Sequence, residues 1–376
     1  MIFFSWGNLT AKVVHILELF SCATKILSGP GSISELGAMG IRRLFLVTDP
    51  FFEEKGVASQ VAANAGAEQT EVFSGVKPDP SLTLAAAATA RAKAFRPDTI
   101  VALGGGSAMD LAKAVAYFSG LKPRLVCIPT TSGSGSEVTD FAILTHNGVK
   151  HPLVDPSIRP DVAILDSLLL QELPPGLIAD SGFDILSHAL EAWVAKGAGA
   201  VSDALALSAF TTAYSHLSAS FSGDKDKRLA IHEAACMAGM AFSQAGLGLC
   251  HAMSHALGGV IHLPHGRLNA ILLPWVIDTN AQISAERYSR LAALSGLGAS
   301  RQLGSRYLKN ALLRLRLDLK LPGSLQEAGV DIRLVQSHQE DIVNAALADP
   351  CCASNPLKVE AFMVRRVLQC IKGRVL

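Results

Sequence analysis

The sequence predicts an α/β fold with a mostly parallel, Rossmann-like sheet in its N-terminal half, followed by an all-helical C-terminal half. Up to about residue 172, short apolar strands alternate with helical patterns, and glycine-rich turns follow several strands. From Pro174 and Pro175 onward, long helical patterns succeed one another and strand signals nearly vanish. The chain has 376 residues, of which 49% are hydrophobic, so it has enough apolar surface for large cores.

The elements of the first half are predicted from their apolar runs. Apolar segments on either side of Asn147 and Gly148 predict a β-hairpin with a type I′ turn, because this dipeptide tolerates the positive φ angles that the turn requires. Strands are predicted at residues 43–50, 98–103, 125–129 and 161–166, and helices at residues 57–66, 82–95 and 110–119.

The second half is assigned from helical periodicity, which places a domain boundary near residue 172. We expect an N-terminal extension at residues 1–25, an α/β domain at residues 26–172 and a helical domain at residues 173–376. The helices are predicted at residues 177–196, 202–221, 225–245, 249–258, 270–281, 285–295 and 303–317.

Residues 9–20 carry a separate amphipathic pattern, in which Leu9, Val13, Ile16, Leu17 and Phe20 fall on one helical stripe. Two interpretations of this stripe stay open. It forms a helix or edge strand on the protein's own core, or it is an exposed tag that docks into the groove of a partner.

Composition and charge argue against several classes of function. A formal net charge of +1, without runs of like charge, gives no electrostatic basis for binding nucleic acid or an acidic membrane. No apolar run approaches the about 20 residues of a membrane span, and the first residues lack a signal-peptide pattern. Seven cysteines without paired metal-type spacing fit reduced thiols. We therefore expect a soluble, cytoplasmic protein.

Two loops rich in glycine and hydroxyl groups each follow a predicted strand. Glycine lets the backbone approach a ligand closely, and the start of the next helix offers free N–H groups and a positive dipole end to a phosphate. The first loop is not the G-x-G-x-x-G fingerprint, and alone it is equally well explained as a tight turn. Two such loops converge on one crevice, which predicts a dinucleotide there. The first loop reads Gly104-Gly105-Gly106-Ser107, and the second runs from Thr130 to Ser136.

Four charged residues are candidates for the same crevice. Asp49 ends an early strand, where it either caps the next helix or accepts hydrogen bonds from an adenosine ribose, which disfavours the extra phosphate of NADP. Asp110 is a candidate for capping or orienting the first glycine loop. Lys113 and Lys150 are candidates for reaching a phosphate or ribose, although a solvated surface position is the ordinary expectation for a lysine.

One carboxylate and three imidazoles predict a metal site. Asp184 and His188 are four residues apart, which places both side chains on one helical face. His251 and His265 come from later segments, and together the four offer oxygen and nitrogen donors that suit a divalent transition metal. Each histidine alone is better explained by capping or packing. The combination, in a chain with 11 histidines, favours the metal.

These motifs resemble those of the iron-containing (group III) alcohol dehydrogenase family, and they occur in the same order. The similarity extends from about Ile26 to Pro356, and residues 237–252 are most similar to the alcohol dehydrogenases of propanediol and ethanolamine utilisation. The motifs read G-G-G-S-A-M-D-L-A-K at residues 104–113, P-T-T-S-G-S-G-S-E-V-T at 129–139, G-F-D-I-L-S-H-A-L-E-A-W at 182–193, H-A-M-S-H-A-L-G at 251–258 and P-H-G-R-L-N-A at 264–270.

The resemblance implies the fold shared by iron-containing alcohol dehydrogenases and dehydroquinate synthases, with a metal between the two domains. It implies hydride transfer between NAD(H) and a short-chain primary alcohol or aldehyde, such as propanol and propanal or ethanol and acetaldehyde, in the aldehyde-reducing direction that regenerates NAD⁺. Fe²⁺ is the metal expected from the family and Zn²⁺ is the alternative. The family's metal ligands fall on Asp184, His188, His251 and His265, and its cofactor contacts fall on Asp49, Gly105, Gly106, Ser107, Thr130, Thr131, Ser134 and Lys150.

The resemblance also concerns residues outside these two sets. His255 is placed near the nicotinamide, which makes it the candidate proton relay, whereas His262 is an extra imidazole that we interpret as structural. The family implies a homodimer or larger assembly. In relatives attached to bacterial microcompartments, an amphipathic end can direct the enzyme to the shell, which gives residues 1–20 a possible partner there.

Three alternative functions are weighed against the dehydrogenase. A lyase or synthase of the dehydroquinate synthase type calls for several basic residues near the metal, where this sequence offers only Arg267. A zinc hydrolase calls for a glutamate general base as in H-E-x-x-H, whereas residues 251–255 read H-A-M-S-H. A zinc-dependent polyol (glycerol-type) dehydrogenase on the same fold is the third alternative.

Overall fold

The computed structural model describes residues 20–146, 149–298, 300 and 302–373. Its strands are β1 (Lys25–Ser28), β2 (Arg43–Thr48), β3 (Gln69–Phe73), β4 (Thr99–Gly104), β5 (Arg124–Pro129), β6 (Phe141–His146), β7 (Val149–Val154) and β8 (Val162–Leu165). Six of them form one parallel sheet in the order β1-β8-β5-β4-β2-β3. β6 and β7 pair as an antiparallel hairpin.

The central strands of the sheet are apolar along their whole length because helices cover both faces. In β4, Ile100 and Ala102 point into one apolar cluster and Val101 and Leu103 into another, as the two-residue period of a strand requires. Four helices pack against this half of the chain. They are α1 (Pro50–Glu54), α2 (Val57–Ala65), α3 (Leu82–Phe95) and α4 (Gly106–Ser119).

The strand order reverses between β2 and β4. β3 adds to one side of β2, and the chain then crosses to the other side, where β4 and β5 follow. The register pairs Thr48 with Leu103 and Gly104 with Pro129. The residues that follow these three strands therefore emerge side by side at their carboxyl ends, which is where open α/β sheets bind ligands.

One helix lies at the centre of the second half. Almost every residue of the Pro175–Val194 helix from Ile178 onward is buried, which is the pattern of a helix inside a core. It packs against the next two helices and against the longest one. The helices are α5 (Pro175–Val194), α6 (Ala200–Phe221), α7 (Arg228–Ala245), α8 (Leu249–Ile261), α9 (His265–Leu294), α10 (Gly304–Asp318), α11 (Ile332–Ser337), α12 (Gln339–Ala348), α13 (Cys351–Ser354) and α14 (Ala361–Ile371).

The predicted fold class is confirmed, with differences in single elements. The strands of the hairpin form as predicted, while its turn residues Asn147 and Gly148 lie outside the described residues. Residues 270–281 and nearly all of 285–295 are helical as predicted, but the break between them is wrong, since α9 runs through both. Gln282 and Ile283 are exposed, so the apolar stripe of the buried face is interrupted there. β3 was not predicted, because this edge strand is largely polar and exposed.

Two features of the described residues concern the predicted domain boundaries. The boundary near residue 172 falls between β8 and α5, and the apolar cluster of the helical half consists of residues from Ile178 onward. β1 begins at Lys25, so the last residue of the predicted extension already belongs to the sheet. Residues 1–19, with most of the amphipathic stripe, lie outside the described residues. We propose the two-domain division on this basis.

None of the helices in the described part of the chain combines the length and the apolar character that crossing a bilayer requires.

The close packing of α9 on α5 gives a stability prediction. A Cβ at Gly266 would lie 1.9 Å from the backbone oxygen of Asp180, so Gly266→Ala forces the start of α9 away from α5. We expect it to cost about 1–3 kcal/mol of unfolding free energy, as overpacking does. The matched control is Gly258→Ala in α8, where the nearest atom is Leu268 Cδ1 at 3.7 Å. The control should keep or raise the melting temperature, since alanine favours helix by up to about 1 kcal/mol. Equal melting temperatures for the two variants would contradict the packing.

Candidate active site

The four predicted metal ligands converge on one point in the helical half. Asp184 and His188 project from the same face of α5, His251 from α8 and His265 from the first residue of α9. His251 Nε2 lies 3.8 Å and His265 Nε2 3.5 Å from Asp184 Oδ1. The rings of His188 and His251 stack with their centroids 4.5 Å apart. Helices distant in sequence thus present four donors to a common space.

The donor set fits a divalent transition metal. Ligand atoms of Asp184, His188 and His251 all lie within 4.8 Å of one another, and the three residues are buried. His188 Nδ1 is buried without a hydrogen-bond partner, which is costly for a polar atom unless something binds there. Imidazole nitrogen and carboxylate oxygen, without sulfur, suit Fe(II) and Zn(II) alike.

The protonation states of the cluster also favour a cation. Burial raises the pKa of Asp184, but the neighbouring imidazoles of His188, His265 and the hydrogen-bonded His251 outweigh it and hold that pKa below its usual range. Burial lowers the pKa of His188 to about 3 and the pKa of His265 well below its ordinary value. Burial also acts to lower the pKa of His251, but its hydrogen bonds to two carboxylates raise it to about 9, and the proton held there is one that a cation replaces.

His255 lies beside this cluster and is partly open to solvent. It is one helical turn after His251 in α8, and its ring stacks on that of His265 with a centroid separation of 5.2 Å. Its Nδ1 lies 2.9 Å from Asp349 Oδ2, and its side chain is 25% exposed. The Asp349 carboxylate fixes the proton on Nδ1 and leaves Nε2 free to exchange a proton. His262 ends α8 in a left-handed backbone conformation.

The two glycine-rich loops touch each other at the carboxyl ends of β4 and β5. A Cβ at Gly105 would lie 3.2 Å from Thr131 Oγ1, and one at Gly106 would lie 3.3 Å from Ser134 Cβ. Gly104 has a φ of 153°, which disfavours any residue with a side chain there. The turn opens α4, so the free N–H groups at the start of this helix lie beside both loops, where the sequence predicts a crevice.

Asp49 stands at the same edge, after β2. Its carboxylate accepts a hydrogen bond from the backbone N of Phe52 at 3.2 Å and so caps α1. Its Oδ2 would lie 3.9 Å from a Cβ at Gly104, which places the acidic group beside the glycine turn. The capping and ribose-binding interpretations are therefore compatible in one side chain.

The second loop joins the crevice to the metal-ligand cluster. A Cβ at Gly133 would lie 2.9 Å from Ser181 Cβ and 3.4 Å from Asp184 Oδ2. The loop after β5 therefore runs directly along α5, past the carboxylate of the cluster. A nucleotide in the crevice and a cation in the cluster would be neighbours.

Comparison with known proteins identifies the family. A profile described as "Iron-containing alcohol dehydrogenase" matches residues 23–167, and one described as "Fe-containing alcohol dehydrogenase family, C-terminal" matches residues 178–372. The 1-propanol dehydrogenase PduQ of Salmonella typhimurium is 38% identical over 94% of this chain and 99% of its own length. The chain belongs to the iron-containing alcohol dehydrogenase family. The predicted family and the predicted activity of an alcohol dehydrogenase are thus confirmed, and the synthase and polyol dehydrogenase alternatives are not favoured.

Other members of the family extend this similarity. The NADPH-dependent butanol dehydrogenase of Clostridium saccharobutylicum is 35% identical over 94% of this chain and 97% of its own. The iron-containing alcohol dehydrogenase structure from Thermococcus thioreducens has a TM-score of 0.87 and 34% identity, covering 93% and 98% of the two chains. A sulfoacetaldehyde reductase from Bifidobacterium kashiwanohense, solved in complex with NAD⁺, has a TM-score of 0.86 and 25% identity, covering 95% and 99%.

Lys113 and Asp110, two of the charged candidates for the crevice, lie in a buried hydrogen-bond network that the sequence did not predict. Lys113 is fully buried, so the expectation of a solvated position is wrong. Its Nζ donates to Ser136, Thr139 and the carbonyl of Phe141 at 2.8–2.9 Å. Asp110 accepts hydrogen bonds from Ser136 Oγ and from the backbone N of Ile143. Both therefore tie α4 to the end of the second loop.

Lys150 of β7 forms an ion pair with Asp79, with Nζ and Oδ1 2.8 Å apart. Its side chain remains 27% exposed at the hairpin. The role of Lys150 as a cofactor contact therefore stays a prediction.

Sequence reasoning missed Glu191, which organises the cluster from α5. Its Oε2 lies 2.7 Å from His251 Nδ1, and its two oxygens accept from the backbone N of Gly248 at 2.9 Å and of Cys250 at 2.6 Å. One carboxylate thus caps α8 and orients a predicted ligand of the dehydrogenase, with Nε2 turned to Asp184. The signal was present, because Glu191 follows Asp184 by seven residues and shares its helical face.

Replacement of Glu191 should weaken metal binding specifically. Glu191→Gln keeps the shape of the side chain but removes the charge that orients His251, so we expect metal affinity to fall about 10–100-fold. Competition with a chelator, followed by metal analysis, measures this. The control is Glu172→Gln, whose exposed carboxylate pairs with Lys225 and should leave the affinity unchanged. A Glu191→Gln protein that holds metal as tightly as the control would contradict this role.

Proposed function

We propose that this alcohol dehydrogenase transfers a hydride between NAD(H) and a short-chain primary alcohol or aldehyde next to an iron(II) ion. The observation that carries the proposal is the contact of the second glycine-rich loop with α5, where Gly133 lies against Ser181 and Asp184. It supports a nucleotide and a cation at one reaction centre. The pair suits alcohol oxidation, since the nicotinamide takes the hydride and the cation stabilises the negative charge that develops on the oxygen.

Asp184, His188, His251 and His265 would hold the cation. When bound, a divalent metal supplies Lewis acidity toward the oxygen of the alcohol or aldehyde. The chain contributes a buried and shaped donor set, in which Glu191 fixes His251 and Ser254 Oγ lies 3.0 Å from His265 Nδ1. Iron follows from the family to which the chain belongs, and Zn²⁺ is the alternative that the same donors accept.

The crevice at the strand ends would hold the dinucleotide. The Bifidobacterium kashiwanohense reductase in complex with NAD⁺ supports a nicotinamide cofactor in this fold. In this chain, the exposed N–H groups at the start of α4 would bind the phosphates and Asp49 the ribose. The proposed contacts are Asp49, Gly105, Gly106, Ser107, Asp110, Thr130, Thr131, Ser134 and Lys150.

His255 would relay the proton that accompanies hydride transfer. Asp349 holds its Nδ1, which leaves Nε2 as the exchanging atom. Its side chain is partly exposed, so the ring reaches both the buried cluster and solvent. A histidine so placed accepts the alcohol proton during oxidation and returns one during reduction.

The size of the substrate is inferred from relatives. The similar proteins are named as propanol and butanol dehydrogenases, which supports an alcohol of a few carbons. We propose aldehyde reduction, with regeneration of NAD⁺, as the working direction.

We also propose a cytoplasmic homodimer or larger assembly that enters a bacterial microcompartment. The similarity to the propanediol-utilisation dehydrogenases supports this location, with residues 1–20 as the segment that meets the shell. Residues 1–20 fused to a fluorescent protein should then co-localise with shells.

The activity is tested by following NADH absorbance with propanal and the iron-loaded protein, purified without oxygen. The wild type should oxidise NADH. Asp184→Asn should lose both metal and turnover, because it removes the carboxylate donor. His255→Ala should keep its metal and lose about 10²–10⁴-fold in kcat, as the loss of a general acid or base does.

His216→Ala in α6, outside the cluster, is the matched histidine control and should be unaffected. A wild-type protein with full metal that oxidises no NADH with any short aldehyde would remove the proposal.

Cofactor choice gives a separate prediction. The carboxylate of Asp49 repels the 2′-phosphate of NADPH, so we expect NADH to be preferred. Asp49→Ser retains the cap of α1 but removes the charge, and should raise kcat/KM for NADPH relative to NADH. Asp49→Asn also keeps a capping side chain without the charge, so it repeats the test with a side chain of nearly the original size. An unchanged preference in both variants would show that Asp49 does not face the ribose.

A further inference from the structure

A second group of potential ligands lies next to the first but contains sulfur. His255 of α8 meets Asp349, at the end of α12, and Cys351, the first residue of α13. One ligand atom from each of the three lies within 4.8 Å of the others, and all three side chains are half-buried. The proposed function uses only the imidazole of this group.

Local structure holds these donors in place. Asp349 Oδ1 accepts a hydrogen bond from the backbone N of Cys351 at 2.8 Å, which fixes the carboxylate at the turn between the two helices. Its Oδ2 is left for His255 Nδ1, 2.9 Å away. The adjacent Cys352 contacts a different partner, since its Sγ lies 3.0 Å from the carbonyl of Ala346. Only one of the two neighbouring thiols therefore belongs to the group.

We propose that His255, Asp349 and Cys351 form a second cation site, suited to Zn²⁺ or Co²⁺. Nitrogen, oxygen and thiolate sulfur are the three donor types that zinc binds in proteins, and three protein ligands leave the fourth position for water. Burial and Asp349 raise the pKa of the Cys351 thiol, so a bound cation would have to release the thiol proton to solvent. The carboxylate and the resulting thiolate would then carry two negative charges, which balance those of the cation. This balance allows occupation close to the four-ligand centre of the proposed function.

Occupation of this site has a consequence that rests on the proposed function. A cation bound at His255 Nδ1, the nitrogen that faces Asp349, would leave the ring proton on Nε2, so the imidazole could no longer accept a proton there. Turnover should therefore slow when zinc is added in excess of the first metal. The ring of His255 also stacks on His265 and lies 6.2 Å, centroid to centroid, from the ring of His251. The imidazole rings of the two centres therefore lie next to each other.

Cobalt spectroscopy tests the binding itself, independently of any activity. The reduced, iron-loaded protein is titrated with Co²⁺ without oxygen, and the near-ultraviolet thiolate-to-cobalt charge-transfer band is recorded. The first centre has no sulfur donor, so this band reports only thiolate coordination. We expect the band in the wild type and in Cys352→Ser, and its loss in Cys351→Ser. Absence of the band in the wild type, or its retention in Cys351→Ser, overturns the proposal.

Asp349→Asn and zinc inhibition extend the test. The amide still accepts from the backbone of Cys351 but is a poor metal ligand. Loss of an outer-sphere partner alone weakens metal binding about tenfold, so the cobalt affinity should fall by at least that factor. Zinc should inhibit Cys351→Ser only at correspondingly higher concentration, with Cys352→Ser as the control. Cobalt binding that matches wild type in Asp349→Asn counts against the site, even if no aldehyde is reduced.

Discussion

The packing of the loop after β5 against α5 is the constraint on which the rest of the molecule depends. At Gly133 the loop approaches so closely that a Cβ would lie 2.9 Å from Ser181 Cβ. The same loop meets the glycine turn after β4 on its other side, at Thr131 and Ser134. The strand ends of the parallel sheet and the donor cluster of the helices are thereby held at a fixed distance. Hydride transfer requires such a distance, since the reacting atoms must approach within about 3–3.5 Å.

Two buried charged side chains hold together elements that carry candidate site residues. Lys113 is fully enclosed and donates to two hydroxyls and a carbonyl, and burial lowers its pKa while the nearby Asp110 opposes that effect. Glu191 is 3% exposed and is matched by backbone N–H groups and by His251. A buried ion is tolerated only when its hydrogen bonds are complete. Both networks hold elements that carry candidate ligands, so their geometry is rigid where chemistry is expected.

The sequence predicted the layers of the fold because period and burial coincide in the central elements. β4 and α3 follow from their apolar runs, and the pair Asp184 and His188 follows from helical spacing. Edge strand β3 and the unbroken α9 did not follow, since their apolar patterns are interrupted on exposed faces. Asp349 and Cys351 could not be placed beside His255 from sequence, because nearly a hundred residues separate them and only the tertiary fold joins α8 to α13.

The double role of Glu191 links cation occupancy to the integrity of a helix. The carboxylate that orients His251 also accepts from the first amides of α8, so a cation held by His251 would stabilise the ligand and the opening turn of that helix together. A cation that binds only the folded chain adds stability by mass action. Metal binding at this cluster would therefore also protect the opening turn of α8 from local unfolding and from proteases that cleave opened segments.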